Sequence, residues 1–118
     1  MANPKAYGTA KEREYIQLLL ADGYLEVIRA GASRSHHDKD VKGDFDLVAR
    51  KPDHTLWVQV KAGQKKYVNQ CRREWKPPSL PPYHVPRLAW FIRGQRGWYE
   101  QDGYDGNWRQ RLKAGEPR

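Results

Sequence analysis

The sequence predicts an α/β fold, a central mixed β-sheet flanked by helices, and three observations lead to it. Two apolar runs, Leu47-Val48-Ala49 and Leu56-Trp57-Val58, flank a Pro52-Asp53-His54 turn and read as a β-hairpin. Upstream, a capping signature precedes apolar residues at helical spacing; downstream, an aromatic run and a second short strand flank Gly94-Gln95-Arg96-Gly97. The predicted order is helix, strand, hairpin, helix, hairpin, which suits one α/β or α+β domain. A chain of 118 residues supports a single core and not two.

Residues 1–8 read as a loose leader. Thr9 and Glu12 then fit a capping box, Gly23 a C-terminal stop, and Ile16, Leu19 and Leu20 an inward face. Glu12 lies four residues before Ile16 and so shares that face; it serves equally as a cap or as a carboxylate aimed at the sheet. Tyr24–Arg29 is predicted as the first strand, in part fully buried. Residues 30–42 are small, polar and basic without periodicity, hence a mobile surface loop. Ser33, Arg34, Ser35, His36, Lys39 and Lys42 within it suit phosphate contacts. Adjacent His36 and His37 lack the spacing of a zinc site.

After the hairpin, Tyr67, Cys71 and Trp75 recur every four residues and predict a helix over 64–75, with Lys65, Lys66, Arg72 and Arg73 mostly outside the apolar stripe. Five prolines from Pro77 to Pro86 predict a stiff extended connection. Arg87–Arg93 and Trp98–Gln101 read as strands. Residues 102–118 form a basic tail with one helical turn around Trp108–Leu112. The later aromatic residues are assigned to core or interface ahead of base stacking.

Composition narrows the function. Lys and Arg number 22 against 14 Asp and Glu, a net charge of +8, which favours a polyanionic partner and nucleic acid first. A single cysteine, Cys71, excludes an internal disulfide and multi-cysteine zinc modules. No apolar run reaches the ~20 residues of a membrane span and no signal-peptide core is present, so an intracellular, cytoplasmic protein is expected.

The polar residues of the hairpin suit phosphodiester hydrolysis. Asp46 immediately precedes an apolar strand, and Gln59 and Lys61 share one face of the next. A hard divalent cation takes oxygen donors, here Asp46, the Gln59 side chain, the Val60 carbonyl and Glu12 from the helix. Lys61 is placed to orient the attacking water and offset developing charge. Read alone, Gln59 and Lys61 are also what an exposed edge strand carries.

Four further elements occur in order. Gly8-Thr9-Ala10-Lys11-Glu12-Arg13, Arg29-Ala30-Gly31-Ala32-Ser33-Arg34-Ser35, Asp46-Leu47-Val48-Ala49 and Gln59-Val60-Lys61 together resemble the archaeal-type Holliday junction resolvases of the PD-(D/E)xK nuclease superfamily. The resemblance runs from Gly8 to about Gly63. It implies a restriction-endonuclease-like fold and a homodimeric, Mg²⁺-dependent endonuclease (with Mn²⁺ a substitute) that resolves four-way DNA junctions by paired nicks. It further implies that Glu12, Asp46 and Gln59, with Val60, form the metal site, that Lys61 is the catalytic lysine, and that Ser33 lies near the scissile phosphate. Arg13, Arg29, Arg34, Ser35, His36, Lys39, Lys42, Lys65 and Lys66 are then the candidate DNA contacts. Two departures stand out: Gln59 replaces the usual acid, and Phe45 replaces the proline before Asp46, leaving Asp44 as a competing ligand. A non-catalytic junction-binding module and a general nuclease of the superfamily are the competing functions.

Overall fold

A computed structural model describes residues 4–29, 45–103 and 107–111. Helix α1 spans Pro4–Ala21, so it begins well before Thr9 and absorbs most of the predicted leader. Proline suits a first helical turn, where its missing N–H would have no partner. The added turn is also held by packing: the Arg93 guanidinium lies 4.3 Å from the Tyr7 ring centroid. Gly23 ends the helix as predicted, with φ +97° and the Tyr24 N–H reaching back to the Leu19 carbonyl at 3.2 Å. The buried stripe is Tyr15 and Leu19, with Ile16 beside it; Leu20, predicted inward, is exposed.

Among the described residues strand β1 (Glu26–Arg29) pairs only with β2 (Leu47–Lys51), and this edge position leaves it largely exposed where a partly buried strand was expected. Residues 30–44, including Ser33, Arg34, Ser35, His36, Lys39, Lys42 and Asp44, lie outside the described residues. Strand β3 (His54–Gly63) closes a hairpin with β2 through Pro52 and Asp53 alone, since Lys51 pairs with His54. Helix α2 (Lys65–Glu74) follows, then an extended connection to β4 (His84–Ile92), which lies parallel to β3. Pro86 belongs to β4. Its missing donor falls where β5 is ending, and its carbonyl accepts from Gly103.

Strand β5 (Trp98–Asp102) completes the second hairpin, and β6 (Arg109–Arg111) takes the place of the predicted helical turn by pairing with the outer edge of β5. Among the described residues the sheet runs β1-β2-β3-β4-β5-β6, antiparallel except at β3–β4. The α/β prediction agrees with this architecture. No described helix is long and apolar enough to cross a membrane.

Each sheet face carries a core. On the α1 side, Tyr15, Leu19, Leu47, Val58 and Trp98 pack together; on the α2 side, Val68, Leu88, Trp90 and Ile92 do. The inward stripe of α2 thus centres on Val68, while Tyr67 is half exposed. Arg72 does not lie outside the stripe: its guanidinium covers Trp90 at 4.2 Å.

Beneath α1 lies a buried polar network. Arg87 meets Glu100 at 3.3 Å and Asp102 at 2.6 Å, and donates to the Tyr15 hydroxyl at 3.1 Å; Tyr15 in turn donates to Glu100. Arg109 reaches the other Glu100 oxygen at 2.7 Å. Trp98 Nε1 donates to Glu14 at 3.1 Å, and Arg111 caps the helix end through the Leu18 carbonyl and Asp22.

Candidate active site

Asp46 sits where β2 begins. Its N–H donates to the Val58 carbonyl and its Oδ2 accepts the Val60 N–H, each at 2.8 Å. The side chain therefore takes the place of one ladder partner just where strand pairing stops. Since N–H and C=O of one strand residue point the same way, the Val60 carbonyl also faces the Asp46 side. Burial pushes the Asp46 carboxyl up, and the Val60 N–H and the Lys61 ammonium pull it partly back.

Glu12 enters from α1. Burial raises its carboxyl, the Asp46 charge raises it further, and Arg29, 3.8 Å away, acts in the opposite direction. The two acids therefore interact across a shared space. That space is an open cleft of about 560 Å³ whose walls include Glu12, Asp46, Val60 and Lys61, along with Tyr67 and Arg93. Carboxylates, a main-chain oxygen and an ammonium from three distant segments meet there.

Gln59 is placed differently. It lines a neighbouring cavity of about 360 Å³ with Cys71, Glu74 and Trp75, and Lys61 borders both spaces. Arg29 touches the site through Glu12. Arg13, Lys65 and Lys66 are solvent-exposed on the two helices.

Tyr7, Tyr67 and Arg93 line the cleft without having been singled out for it in the sequence. For Arg93 a signal existed in the strand register. Gly63 pairs with Ile92, so the residue after Ile92 must emerge beside the end of β3, and its N–H donates to the Gly63 carbonyl at 2.8 Å. The spacing of Tyr67 with Cys71 and Trp75 predicts an inward side chain, whereas Val68 is the residue that the sheet covers.

The donor set fits a hard cation. Two buried carboxyls, one of them raised further by the other's charge, are relieved by a divalent cation between them, and oxygen donors suit Mg²⁺. Among the described residues no three His, Cys, Asp or Glu side chains gather into a ligand group. Magnesium is commonly held by one or two carboxylates with water and substrate phosphate, so a pair suffices.

No curated protein matches the chain. The family model described as archaeal Holliday junction resolvase matches residues 3–74. That span runs from α1 to the end of α2 and contains Glu12, Asp46 and Lys61, while Arg93, Trp98 and Trp108 lie beyond it. The match covers more than half of the sequence, and the six-stranded mixed sheet agrees with a restriction-endonuclease-like fold. From the ordered acids, the lysine beside them and this match, the chain belongs to the archaeal Holliday junction resolvase family.

Proposed function

We propose that the protein is a Mg²⁺-dependent endonuclease that resolves four-way DNA junctions by paired nicks, acting inside the cell as a homodimer. The observation that carries this reading is the convergence of Glu12, Asp46 and Lys61 on one cleft within the matched segment. Glu12 and Asp46, with the Val60 carbonyl, would hold the metal; Mn²⁺ offers a similar preference for oxygen donors. The bound ion would polarise the phosphoryl oxygens and lower the pKa of a water.

The protein side chains supply the rest. Asp46 is held by the Val60 N–H through Oδ2 and lines the cleft, so little reorganisation is needed there. Lys61 borders the same space and can hold the attacking water or neutralise charge on the phosphoryl group. Arg29 tempers the Glu12 charge. Arg93 adds a second cation to the wall, suited to a phosphate flanking the cut bond. One cleft cuts one strand, and two nicks related by a twofold axis call for a second copy.

The test is a labelled four-way junction incubated with Mg²⁺. Paired nicks should appear with the native chain and vanish in Lys61→Ala and Asp46→Asn. Equal cutting of plain duplex would reduce the reading to a general nuclease of the same superfamily. Gln59 favours a second reading, a junction-binding module without catalysis, because it replaces an acid and faces the neighbouring cavity. Junction binding without cleavage in any divalent metal, with cleavage gained in Gln59→Glu, would establish that alternative.

A further inference from the structure

The α2 face of the sheet carries side chains that the cleft leaves unused. In register, Lys61 on β3 stands opposite Trp90 on β4, Trp90 opposite Tyr99 on β5, and Tyr99 opposite Gln110 on β6. Directly opposed residues share a face, so a single row leads from the cleft lysine to the last strand. At ~4.8 Å per strand, Tyr99 stands roughly 10 Å from Lys61.

Tyr99 stacks on the buried Trp90 with ring centroids 5.7 Å apart and planes 10° apart. Trp108, just before β6, stands edge-on to both rings, at 5.6 Å from Tyr99 and 6.4 Å from Trp90. Trp108 is nonetheless 54% exposed, whereas Trp90 and Trp98 are 1% and 2% exposed. A ring fixed by two neighbours and still open to water loses little freedom when a flat ligand covers it.

Arg72 lies beside it, with its guanidinium 4.2 Å from the Trp90 ring and 5.5 Å from that of Trp108. Its Nε is buried without a hydrogen-bond partner among the described residues, and its Nη1 reaches Asn69 only at 3.4 Å. Burial lowers the pKa of this guanidinium, and among the described residues it meets no carboxylate, in contrast to Arg87, Arg109 and Arg111. A guanidinium stacked on an aromatic ring, with its donors free of an acid, suits a phosphate. An exposed, braced indole suits the face of a nucleobase.

We infer that Trp108 and Arg72 form a nucleotide subsite, the indole stacking on an unpaired base and the guanidinium taking the adjoining phosphate. The inference rests on the reading of the chain as a nuclease of branched DNA, since a branch point is where bases can leave the helical stack. The subsite lies on the same sheet face as Lys61, toward the β6 edge. It would grip the substrate with Arg72, inside the segment that the family match covers, and Trp108, beyond it.

The test uses the full chain in EDTA, so that binding is read without cleavage. Trp108→Ala should weaken binding of a labelled four-way junction by about 5- to 140-fold, the equivalent of ~1–3 kcal/mol per stacked base. Trp108→Phe should retain most of the affinity while removing the tryptophan quench that accompanies binding. Arg72→Met should lower the salt dependence of binding by about one phosphate contact. Unchanged affinity and quench in the Trp108 variants would overturn the subsite while leaving the nuclease reading intact. Loss of self-association in Trp108→Ala, measured by sedimentation, would assign the indole to a protein interface and also overturn it. If the native chain binds no junction, the nuclease reading fails by itself. A labelled single-stranded oligonucleotide then decides: a quench that Trp108→Phe abolishes supports the subsite, and its absence overturns it.

Discussion

Asp46 combines two roles that a pair of substitutions separates. Its Oδ2 accepts the Val60 N–H at 2.8 Å, and burial disfavours its charge. Asp46→Ala removes the acceptor and leaves a part-buried amide unpaired. A hydrogen bond to a charged group contributes about 1.5–3 kcal/mol, and an orphaned donor costs about 1–3 kcal/mol, so a loss of about 1–3 kcal/mol is expected after removal of the disfavoured charge offsets part of it. Asp46→Asn keeps an oxygen for the same N–H and also removes that charge, so its stability should lie within about 0.5 kcal/mol of the native chain or above it. Urea unfolding in EDTA measures both, and junction cleavage in Mg²⁺ measures function. Both variants should lose at least about 100-fold in cleavage rate, the scale on which one electrostatic contact in an active site acts. Equal stability of the two variants would refute the role of the Val60 bond. Retained cleavage in Asp46→Asn would refute the carboxylate's role at the metal.

Because Glu12 and Asp46 are both raised, each contributes stability that is present below its ordinary carboxylate value and lost as pH rises through its folded-state value. Metal-free Glu12→Gln should therefore show a flatter stability profile than the native chain from about pH 4 upward, and the rise in melting temperature on adding Mg²⁺ should grow with pH in the native chain and shrink in the variant. Arg87→Met leaves the buried Glu100 with fewer cationic partners and should cost about 3–5 kcal/mol in urea unfolding; a loss under about 1 kcal/mol would show that Arg109 suffices. Arg93→Ala should raise KM more than it lowers kcat and reduce the salt dependence of junction binding by about one contact, and an unchanged salt slope would remove Arg93 from the DNA path.

The central hairpin was legible because its signals are local: alternation over a few residues and a Pro-Asp turn define β2 and β3 from the sequence itself. What was not legible depended on distant partners. Residues 109–111 carry no strand signature and become β6 because β5 offers an open edge. On α2 two stripes competed, through Tyr67 and through Val68, and only the shape of the sheet chose Val68. The Arg87 network escaped notice because Tyr15 and Glu100 stand 85 positions apart. At the site, the approach of Glu12 to Asp46 follows from a helix face pointing at a strand end, which the spacing suggested. The different outlook of Gln59 depends on which cavity α2 leaves beside β3, which no pattern within β3 encodes.

Helix α1 presents Glu12 near its middle and packs on Leu47 and Val58, while hydrogen bonds from late in the chain tie it further: Glu100 and Arg87 on Tyr15, Trp98 on Glu14, Arg111 on Leu18 and Asp22. All of these hydrogen-bonding partners lie downstream of residue 74, where the family match ends. A fragment trimmed to the recognisable part would keep its reactive groups and lose these ties. Sequence drift in the last three strands can thus retune how the helix seats, a remote adjustment that leaves the motif residues untouched.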